Sequence, residues 1–159
     1  MNLIAYLEKN KIWYRVLEKE DTVHTADAAA ATGIPLERVT KSLVFLADKK
    51  PILVIIPGTH RADLKKLKNA LNIHEIHIVP FTQVKEYTGY LPGATPPIRH
   101  KQIVDVVIDK TVMLYETVYG GGGSRNKLIE LRTKDIQQVN SAKVADIITN
   151  TSEEHQIRI

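Results

Sequence analysis

The chain has 159 residues, of which 43% are hydrophobic and 25% are charged, and this composition is ordinary for one soluble globular domain. It excludes wholesale disorder, collagen-like repeats and low-complexity classes. The 22 Lys and Arg against 18 Asp and Glu give a formal net charge of +4, which permits an anionic partner without requiring one. The chain has no cysteine, so disulfides, thiolate catalysis, zinc ribbons and iron–sulfur clusters are excluded.

No targeting or membrane signal is visible in the sequence. Residues 1–11 lack the basic start, apolar run and small-residue cleavage site of a secretory signal. Apolar runs such as residues 52–57 are far shorter than the roughly 20 residues that a membrane span needs. We therefore expect a cytoplasmic protein that does not associate with a membrane.

Short helices and strands are predicted along the chain from apolar spacing and from Gly and Pro punctuation. Asn2, Thr25 and Thr133 suit the N-caps of three helices, and Gly33 suits a left-handed C-cap. The predicted helices are 2–10, 25–32, 63–71, 80–87 and 133–139, with a further turn or two over 141–148. The predicted strands are 12–17, 42–47, 52–56, 76–79, 104–108, 112–119 and 127–131.

Several neighbouring strands are separated by only a few turn residues, so hairpins are expected rather than parallel crossover units. The expected turns are 48–51, 109–110 and a flexible glycine tip at 120–123. The predicted fold class is α/β of the α+β-like kind: a single domain with a mixed, mostly antiparallel, curved sheet surrounded by short helices. The domain is expected over residues 1–149, and a frayed C-terminal tail over 150–159.

The common catalytic motifs are absent. Residues 122–126 depart from the G-x-S-x-G elbow of serine hydrolases at the last position. The H-E-x-H stretch from His74 to His77 is shorter than the zinc-protease motif, and on a strand its two histidines would point to opposite faces. The glycines at 120–123 lack the Lys-Ser/Thr that completes a P-loop. We therefore expect no metal and no cofactor.

Three stretches are chemically interesting, and each has an ordinary alternative. Lys41 begins a buried-looking strand, either as a solvated edge residue or as an ammonium that grips an anion or polarises a carbonyl. Residues 88–97 form either a proline-stiffened surface turn or a rigid array of N–H groups for an oxyanion. The glycines at 120–123 form either a mobile tip or a site of close backbone approach to a ligand such as phosphate.

These stretches, in their order along the chain, resemble the YbaK/ProX family of aminoacyl-tRNA deacylases, stand-alone relatives of the editing domain inserted in bacterial prolyl-tRNA synthetase. The resemblance extends from about residue 2 to residue 148. The run of four glycines is longer than the family's one or two, and Pro96 adds a second proline beside Pro97. The matching segments are T-A-D-A-A at 25–29, K-S-L-V-F at 41–45, P-G at 57–58, D-L-K-K-L at 63–67, T-G-Y at 88–90, the G-x-x-x-P loop at 93–97, V-I-D at 107–109 and the glycine hairpin that follows.

The resemblance implies hydrolysis of the ester that joins a wrong amino acid to the 3′ end of a tRNA. Lys41 would hold the terminal phosphate or the ester, and the backbone of Gly93, Ala94 and Thr95 would face the ester carbonyl. Water would be the nucleophile, activated with help from a ribose hydroxyl of the substrate. The expected partners are the acceptor end of a mischarged tRNA and an aminoacyl-tRNA synthetase. The substrate-binding residues implied are Thr88, Gly89, Tyr90, Pro97, Asp109, Gly121 and Gly122.

Two other classes of function are weighed against the enzyme. A binding module could hold an aminoacyl or nucleotide group in the same pocket without turnover. A general nucleic-acid binder is less favoured, because the basic residues are dispersed and the aromatics, at 6%, form no stacking pattern. Cysteine, alanine, serine and non-protein amino acids all stay open as the residue removed, since one methylene in a pocket is worth only about 1–3 kcal/mol.

Overall fold

Regular elements form where apolar spacing, caps and turn residues favour them. The structure, a computed structural model, describes residues 2–98 and 100–151. Short 3₁₀ turns, Leu36–Arg38 and Val112–Leu114, precede two of the strands. The helices are α1 (Leu3–Lys9), α2 (Thr25–Thr32), α3 (Leu64–Leu71), α4 (Phe81–Thr88) and α5 (Thr133–Asn140). The strands are β1 (Tyr14–Glu18), β2 (Thr40–Ala47), β3 (Lys50–Pro57), β4 (Ile76–Ile78), β5 (Asp105–Asp109), β6 (Thr117–Gly121), β7 (Lys127–Arg132) and β8 (Lys143–Ala145).

The helix caps follow the sequence prediction in part. The Asn2 side chain accepts a hydrogen bond from the third residue of α1, and Gly33 ends α2 at φ +74°, so both predicted caps are confirmed. Thr25 and Thr133 were expected as N-caps, and this expectation is wrong, because each is the first residue inside its helix. The Thr133 hydroxyl donates to the carbonyl of Tyr115 at 2.7 Å, so it is used in a tertiary contact.

The strands are divided between two sheets. One has the order β1-β7-β6 and is antiparallel throughout, and the other has the order β4-β2-β3-β5-β8. In the larger sheet, β2 pairs antiparallel with β3 and β4, while β5 pairs parallel with β3 and β8. The predicted fold class is confirmed as a mixed α/β domain, with five helices and two sheets in the described ranges.

The predicted β2–β3 hairpin is confirmed, with Thr40 opposite Pro57 at its open end. Asp48 and Lys49 both adopt positive φ, at 46° and 71°. Two positive-φ residues are what a tight two-residue hairpin turn of the right twist requires. The Asp48 carboxylate accepts the backbone amide of Glu75 at 2.8 Å, and this bond is the main reason that the pKa of Asp48 is lowered.

Both faces of the five-stranded sheet are buried. Leu53 and Ile55 of β3 face a core shared with the three-stranded sheet, whereas Val54 and Ile56 face a second core that Leu67 of α3 covers. A strand buried on both faces is apolar at every position, which explains the uninterrupted apolar run of β3.

Three predicted connections are wrong. Residues 104–108 and 112–119 do not form a hairpin: β5 pairs with β3, Val107 lying opposite Val54, and β6 pairs with β7. Residues 141–148 do not extend the helix, because Ser141 turns to φ +49° and the chain then adds β8 beside β5. Gly120 and Gly121 are not part of a flexible tip, because they pair with β7 inside β6. Partners distant in sequence decided the first two, whereas Gly120 and Gly121 pair with the next strand along the chain.

The start of the predicted C-terminal tail lies among the described residues and is held in place. The Asn150 side chain accepts a hydrogen bond from the Lys66 ammonium at 3.0 Å, and the amide of Thr149 donates to the carbonyl of Arg61 at 3.0 Å. Residues 152–159 lie outside the described residues. Within the described ranges, no helix combines the length and apolar character that crossing a membrane requires.

Candidate active site

A cavity of about 570 Å³ opens along the first half of β2. Its walls come from α2 and the segment that leads into it, the start of α4, the proline-rich loop and the end of β6. Most of the lining side chains are apolar. Among the predicted site residues, the cavity brings together Lys41, Gly93, Thr95 and Gly121. A mostly apolar cavity with a few convergent polar groups is the usual form of a small-molecule site.

The edge of β2 gives Lys41 its position. β4 pairs with β2 only over residues 45–47, and the amide of Val79 then donates to the carbonyl of Val44 at 3.0 Å. The part of β2 that carries Lys41 therefore extends past the end of β4, and the cavity lies beside it. Lys41 is half-buried and pairs with Ile56 of β3 on its other side. A cation at the wall of an apolar cavity is well placed to attract an anion.

The loop around Gly93 forms another part of the cavity wall. Gly93 is exposed and adopts φ +83°, and a Cβ on it would lie 2.7 Å from Cα of Val23. No other residue fits this position without displacing the segment before α2. The amide of Ala94 donates to the carbonyl of Leu91 at 3.0 Å, so this N–H is engaged inside the loop. Gly93 and Thr95 line the cavity, and Ala94 does not.

The glycine run packs closely against this loop. A Cβ on Gly121 would lie 2.5 Å from the carbonyl oxygen of Thr95, and one on Gly120 would lie 2.7 Å from Cδ of Pro97. The amide of Gly123 donates to the carbonyl of Ala94 at 3.0 Å. The glycines thus permit a close backbone approach. The sequence suggested such an approach to a ligand, whereas here the partner is the loop at residues 94–97 of the same chain.

Lys19 and Arg125 join the segments around the cavity, and the sequence analysis missed both. The Arg125 guanidinium donates through Nε to the carbonyl of Pro92 at 2.9 Å, and the Arg125 carbonyl accepts the amide of Thr22 at 3.0 Å. The Lys19 ammonium donates to the same carbonyl and to Thr22 Oγ1, and burial lowers the pKa of Lys19. The bonds that Arg125 makes to Pro92, Thr22 and Lys19 connect positions far apart in the chain, and no local motif predicts them.

The predicted T-G-Y segment forms the turn that leads into the loop. The Thr88 hydroxyl accepts the amide of Tyr90 at 3.0 Å, and Gly89 ends α4 at φ +86°. Thr88 and Tyr90 are buried. None of the three lines the cavity within the described part of the chain, and their contacts indicate that they hold the start of the loop.

Pro97 and Gly122 also lie behind the cavity wall rather than in it. The carbonyl of Pro97 accepts a hydrogen bond from the Asn140 side chain at 2.8 Å. The amide of Gly122 donates to the carbonyl of Lys127 at 3.0 Å, which closes the β6–β7 hairpin. Pro97 is therefore bonded to α5 and Gly122 to β7, both of which lie next to the loop and strand that line the cavity.

Asp109 lies away from the cavity and is fully buried. Its carboxylate accepts the amide of Thr111 at 3.0 Å, the hydroxyl of the same threonine, and the amide of Ile147 at 2.9 Å. Three donors converge on this carboxylate, so it ties the end of β5 to the chain after β8. These contacts are structural, and we do not include Asp109 in the proposed site.

Neither His100 nor the histidines of the H-E-x-H stretch line the cavity within the described part of the chain. The ring of His100 donates through Nε2 to the carbonyl of Pro96 at 2.7 Å, and burial lowers the pKa of this ring, while the bond to Pro96 acts in the opposite direction. In the H-E-x-H stretch, the side chains of Glu75 and His77 are exposed. Over residues 2–98 and 100–151, no three His, Asp or Glu side chains come together as a metal-binding group.

The structural class is a mixed α/β domain with two sheets and a cavity that Lys41 and the loop around Gly93 line. The comparison with known sequences defines the family. The sequence profile described as the aminoacyl-tRNA editing domain matches residues 19–139, well over half of the chain. The protein belongs to the aminoacyl-tRNA editing domain family.

Individual relatives are similar over comparable lengths. An Enterococcus faecalis protein named "Putative Cys-tRNA(Pro)/Cys-tRNA(Cys) deacylase EbsC" is 28% identical over 93% of this chain and 93% of its own. A solved structure described as "a putative trans-editing enzyme for prolyl tRNA synthetase" has a TM-score of 0.77 and 28% identity, over 86% of this chain and 87% of its own. The proline–tRNA ligase of Latilactobacillus sakei is 28% identical over 76% of this chain, which matches 21% of the ligase.

Proposed function

We propose that this protein hydrolyses the ester bond of mischarged aminoacyl-tRNA. The observation that carries the proposal is the position of Lys41 and Gly93 on the lining of one cavity in a chain that belongs to the editing-domain family. The cavity would take the aminoacylated terminal nucleotide. The products would be the free amino acid and a tRNA with a free ribose hydroxyl.

Lys41 would hold the anionic part of the substrate. The ammonium is a compact charge on a flexible stem, and the cavity around it is mostly apolar. An apolar surrounding strengthens the attraction between a cation and a phosphate or a developing oxyanion, because the local dielectric constant is lower than that of water. Lys41 would therefore bind the terminal phosphate or the ester group.

The loop would supply fixed dipoles to the ester carbonyl. Gly93 and Thr95 line the cavity, and three neighbouring segments hold the loop: Val23 against Gly93, Gly121 against Thr95, and Arg125 bonded to Pro92. A donor that is already oriented needs no reorganisation when negative charge develops on the carbonyl oxygen. The backbone N–H groups of Gly93 and Thr95 are the proposed donors, since that of Ala94 is bonded to Leu91.

Water would be the nucleophile. Its oxygen bonds to the ester carbon, its proton passes to a ribose oxygen of the substrate, and the bond between the carbonyl carbon and the ribose ester oxygen breaks. A neighbouring ribose hydroxyl would orient the water. An aminoacyl ester is already reactive, so positioning and oxyanion stabilisation can supply the needed acceleration. This scheme is consistent with a cavity whose lining offers a lysine and backbone groups.

An aminoacyl-tRNA synthetase is the proposed functional partner. The match to the proline–tRNA ligase covers a fifth of that enzyme, at 21%, and a similar solved structure is described as a trans-editing enzyme for prolyl tRNA synthetase. These relatives favour tRNA(Pro) carrying a wrong amino acid as the first substrate to test.

The test measures the release of labelled amino acid from tRNA(Pro) charged with cysteine, alanine, serine or proline. We expect release above the uncatalysed rate for at least one mischarged tRNA and none for the proline control. If no mischarged tRNA of this panel or of other isoacceptors is hydrolysed while aminoacyl-tRNA still binds, the protein is a binding module and the proposal is wrong.

A further inference from the structure

The cavity has a buried end and an exposed rim. Val39 and Leu128, at the buried end, are 1% and 3% exposed. Ile78 and Phe81, which also line the cavity, are 61% and 58% exposed. We call this pair the rim. Single exposed apolar residues are common and indicate nothing about function. Two large exposed apolar side chains that continue the lining of a cavity indicate a ligand-binding surface.

The segment that carries the rim runs beside β2, the strand of Lys41. Ile78 is opposite Phe45 in the β2–β4 ladder, and the amide of Val79 bonds to the carbonyl of Val44. The chain thus runs antiparallel to β2 towards Lys41, and two residues later Phe81 begins α4. Pro80, at φ −59° and ψ 148°, fixes the backbone just before Phe81. The ring is therefore carried by a restrained helix start and not by a free loop.

We propose that Phe81 stacks on the purine base of the terminal nucleotide of tRNA, with Ile78 against the edge of that base. The proposal rests on the proposed function, because it assumes that the terminal nucleotide enters this cavity. An exposed benzene ring offers a flat apolar face, and stacking of a base on an aromatic side chain contributes about 1–3 kcal/mol. The ribose and ester would then extend from the rim towards Lys41 and Gly93.

Stacking on the rim predicts a particular pattern of recognition. A base that stacks by its face is bound without hydrogen bonds to its edges. The contact therefore does not distinguish between tRNAs that end in the same nucleotide. The contact is equally available before and after hydrolysis, and it would therefore lower the dissociation constant and KM rather than raise kcat. Identity of the amino acid would be decided elsewhere in the cavity.

The experiment uses uncharged tRNA whose terminal adenine is replaced by 2-aminopurine, a base whose fluorescence falls on stacking. The full chain is compared with Phe81→Ala, Phe81→Leu, Phe81→Tyr and Leu114→Ala, the last at a residue that is 79% exposed and absent from the described cavity lining. We expect fluorescence to fall with wild type and Phe81→Tyr. Phe81→Ala should weaken binding about 5- to 150-fold, Phe81→Leu should lose the change in fluorescence, and Leu114→Ala should behave as wild type.

The outcomes separate this inference from the proposed function. If Phe81→Ala binds the probe as tightly as wild type with the same change in fluorescence, the stacking contact is wrong, and hydrolysis of mischarged tRNA by the same preparation would leave the proposed function standing. If Phe81→Ala lowers single-turnover kcat and leaves KM unchanged, the binding role is also wrong. If wild type neither binds the probe nor hydrolyses any mischarged tRNA, both proposals are overturned.

Discussion

Gly121 of β6 packs directly on the backbone of Thr95, so closely that a Cβ at position 121 would lie 2.5 Å from the Thr95 carbonyl oxygen. The loop that carries the proposed donors can take this position only because residue 121 has no side chain. A methyl group on Gly121 would meet main-chain atoms of Thr95 and Ala94 in the loop. Because Gly121 itself lies on a strand that is paired with β7, the less constrained loop has to shift.

Gly121→Ala is therefore expected to lower kcat by about 10- to 100-fold, since a displacement of about 1 Å at a reacting centre can have that effect. It should also destabilise the fold by about 1–3 kcal/mol through overpacking. The measurements are single-turnover deacylation and urea unfolding. Gly33→Ala is the matched control: its φ is +74° but nothing lies within 4 Å of the new Cβ, so it should lose stability and keep kcat. Equal kcat losses in the two variants would contradict this role for Gly121.

Asp109→Asn is expected to change stability and not substrate binding. The Asn side chain keeps one acceptor oxygen and places an NH2 donor against either the amide of Thr111 or that of Ile147, which each require an acceptor, and an unsatisfied buried group costs about 1–3 kcal/mol. Urea unfolding should show this loss, while KM for the mischarged tRNA stays within twofold. A raised KM with unchanged stability would instead support the substrate-binding role that the family resemblance implied.

We expect His100 to make stability depend on pH. Burial lowers the pKa of this ring in the folded state, so below its ordinary value of about 6.5 the unfolded chain binds more protons than the folded chain. The contribution of His100 is complete above that value and is lost as pH falls through the folded pKa. The free energy of unfolding should therefore decline between pH 7 and pH 5.

The slope of the free energy of unfolding against pH, measured by urea unfolding at several pH values, should become shallower in His100→Gln. The control is His77→Gln, because the side chain of His77 is 72% exposed and its replacement should leave the slope as in wild type. A slope that is the same in His100→Gln and wild type would show that another group is responsible.

The parts of the fold that the sequence predicted are those with local causes. The cap at Asn2, the left-handed Gly33 and the turn at Asp48 each depend on residues within four positions along the chain. The parallel pairing of β5 with β3 and of β8 with β5 joins distant segments. Those strands carry no local signal that distinguishes a hairpin partner from a parallel one.

The candidate site divides in the same way. Residue type and family resemblance singled out Lys41 and the loop at Gly93, and the fold brings both to one cavity. Arg125, whose guanidinium bonds to Pro92 from 33 positions away, and Phe81, at the exposed rim, could not be found that way. The roles proposed for them depend on tertiary position, since an arginine in a turn or a phenylalanine at a helix start is ordinary in sequence.

The proposed role of Lys41 in hydrolysis is tested by the single-turnover deacylation rate of Lys41→Ala on a mischarged tRNA that wild type hydrolyses. This role predicts that the rate falls on the order of a hundredfold or more while urea unfolding is unchanged. Lys68→Ala, which removes an exposed lysine of α3, should keep wild-type activity. A folded Lys41→Ala protein that releases the amino acid at the wild-type rate would contradict it.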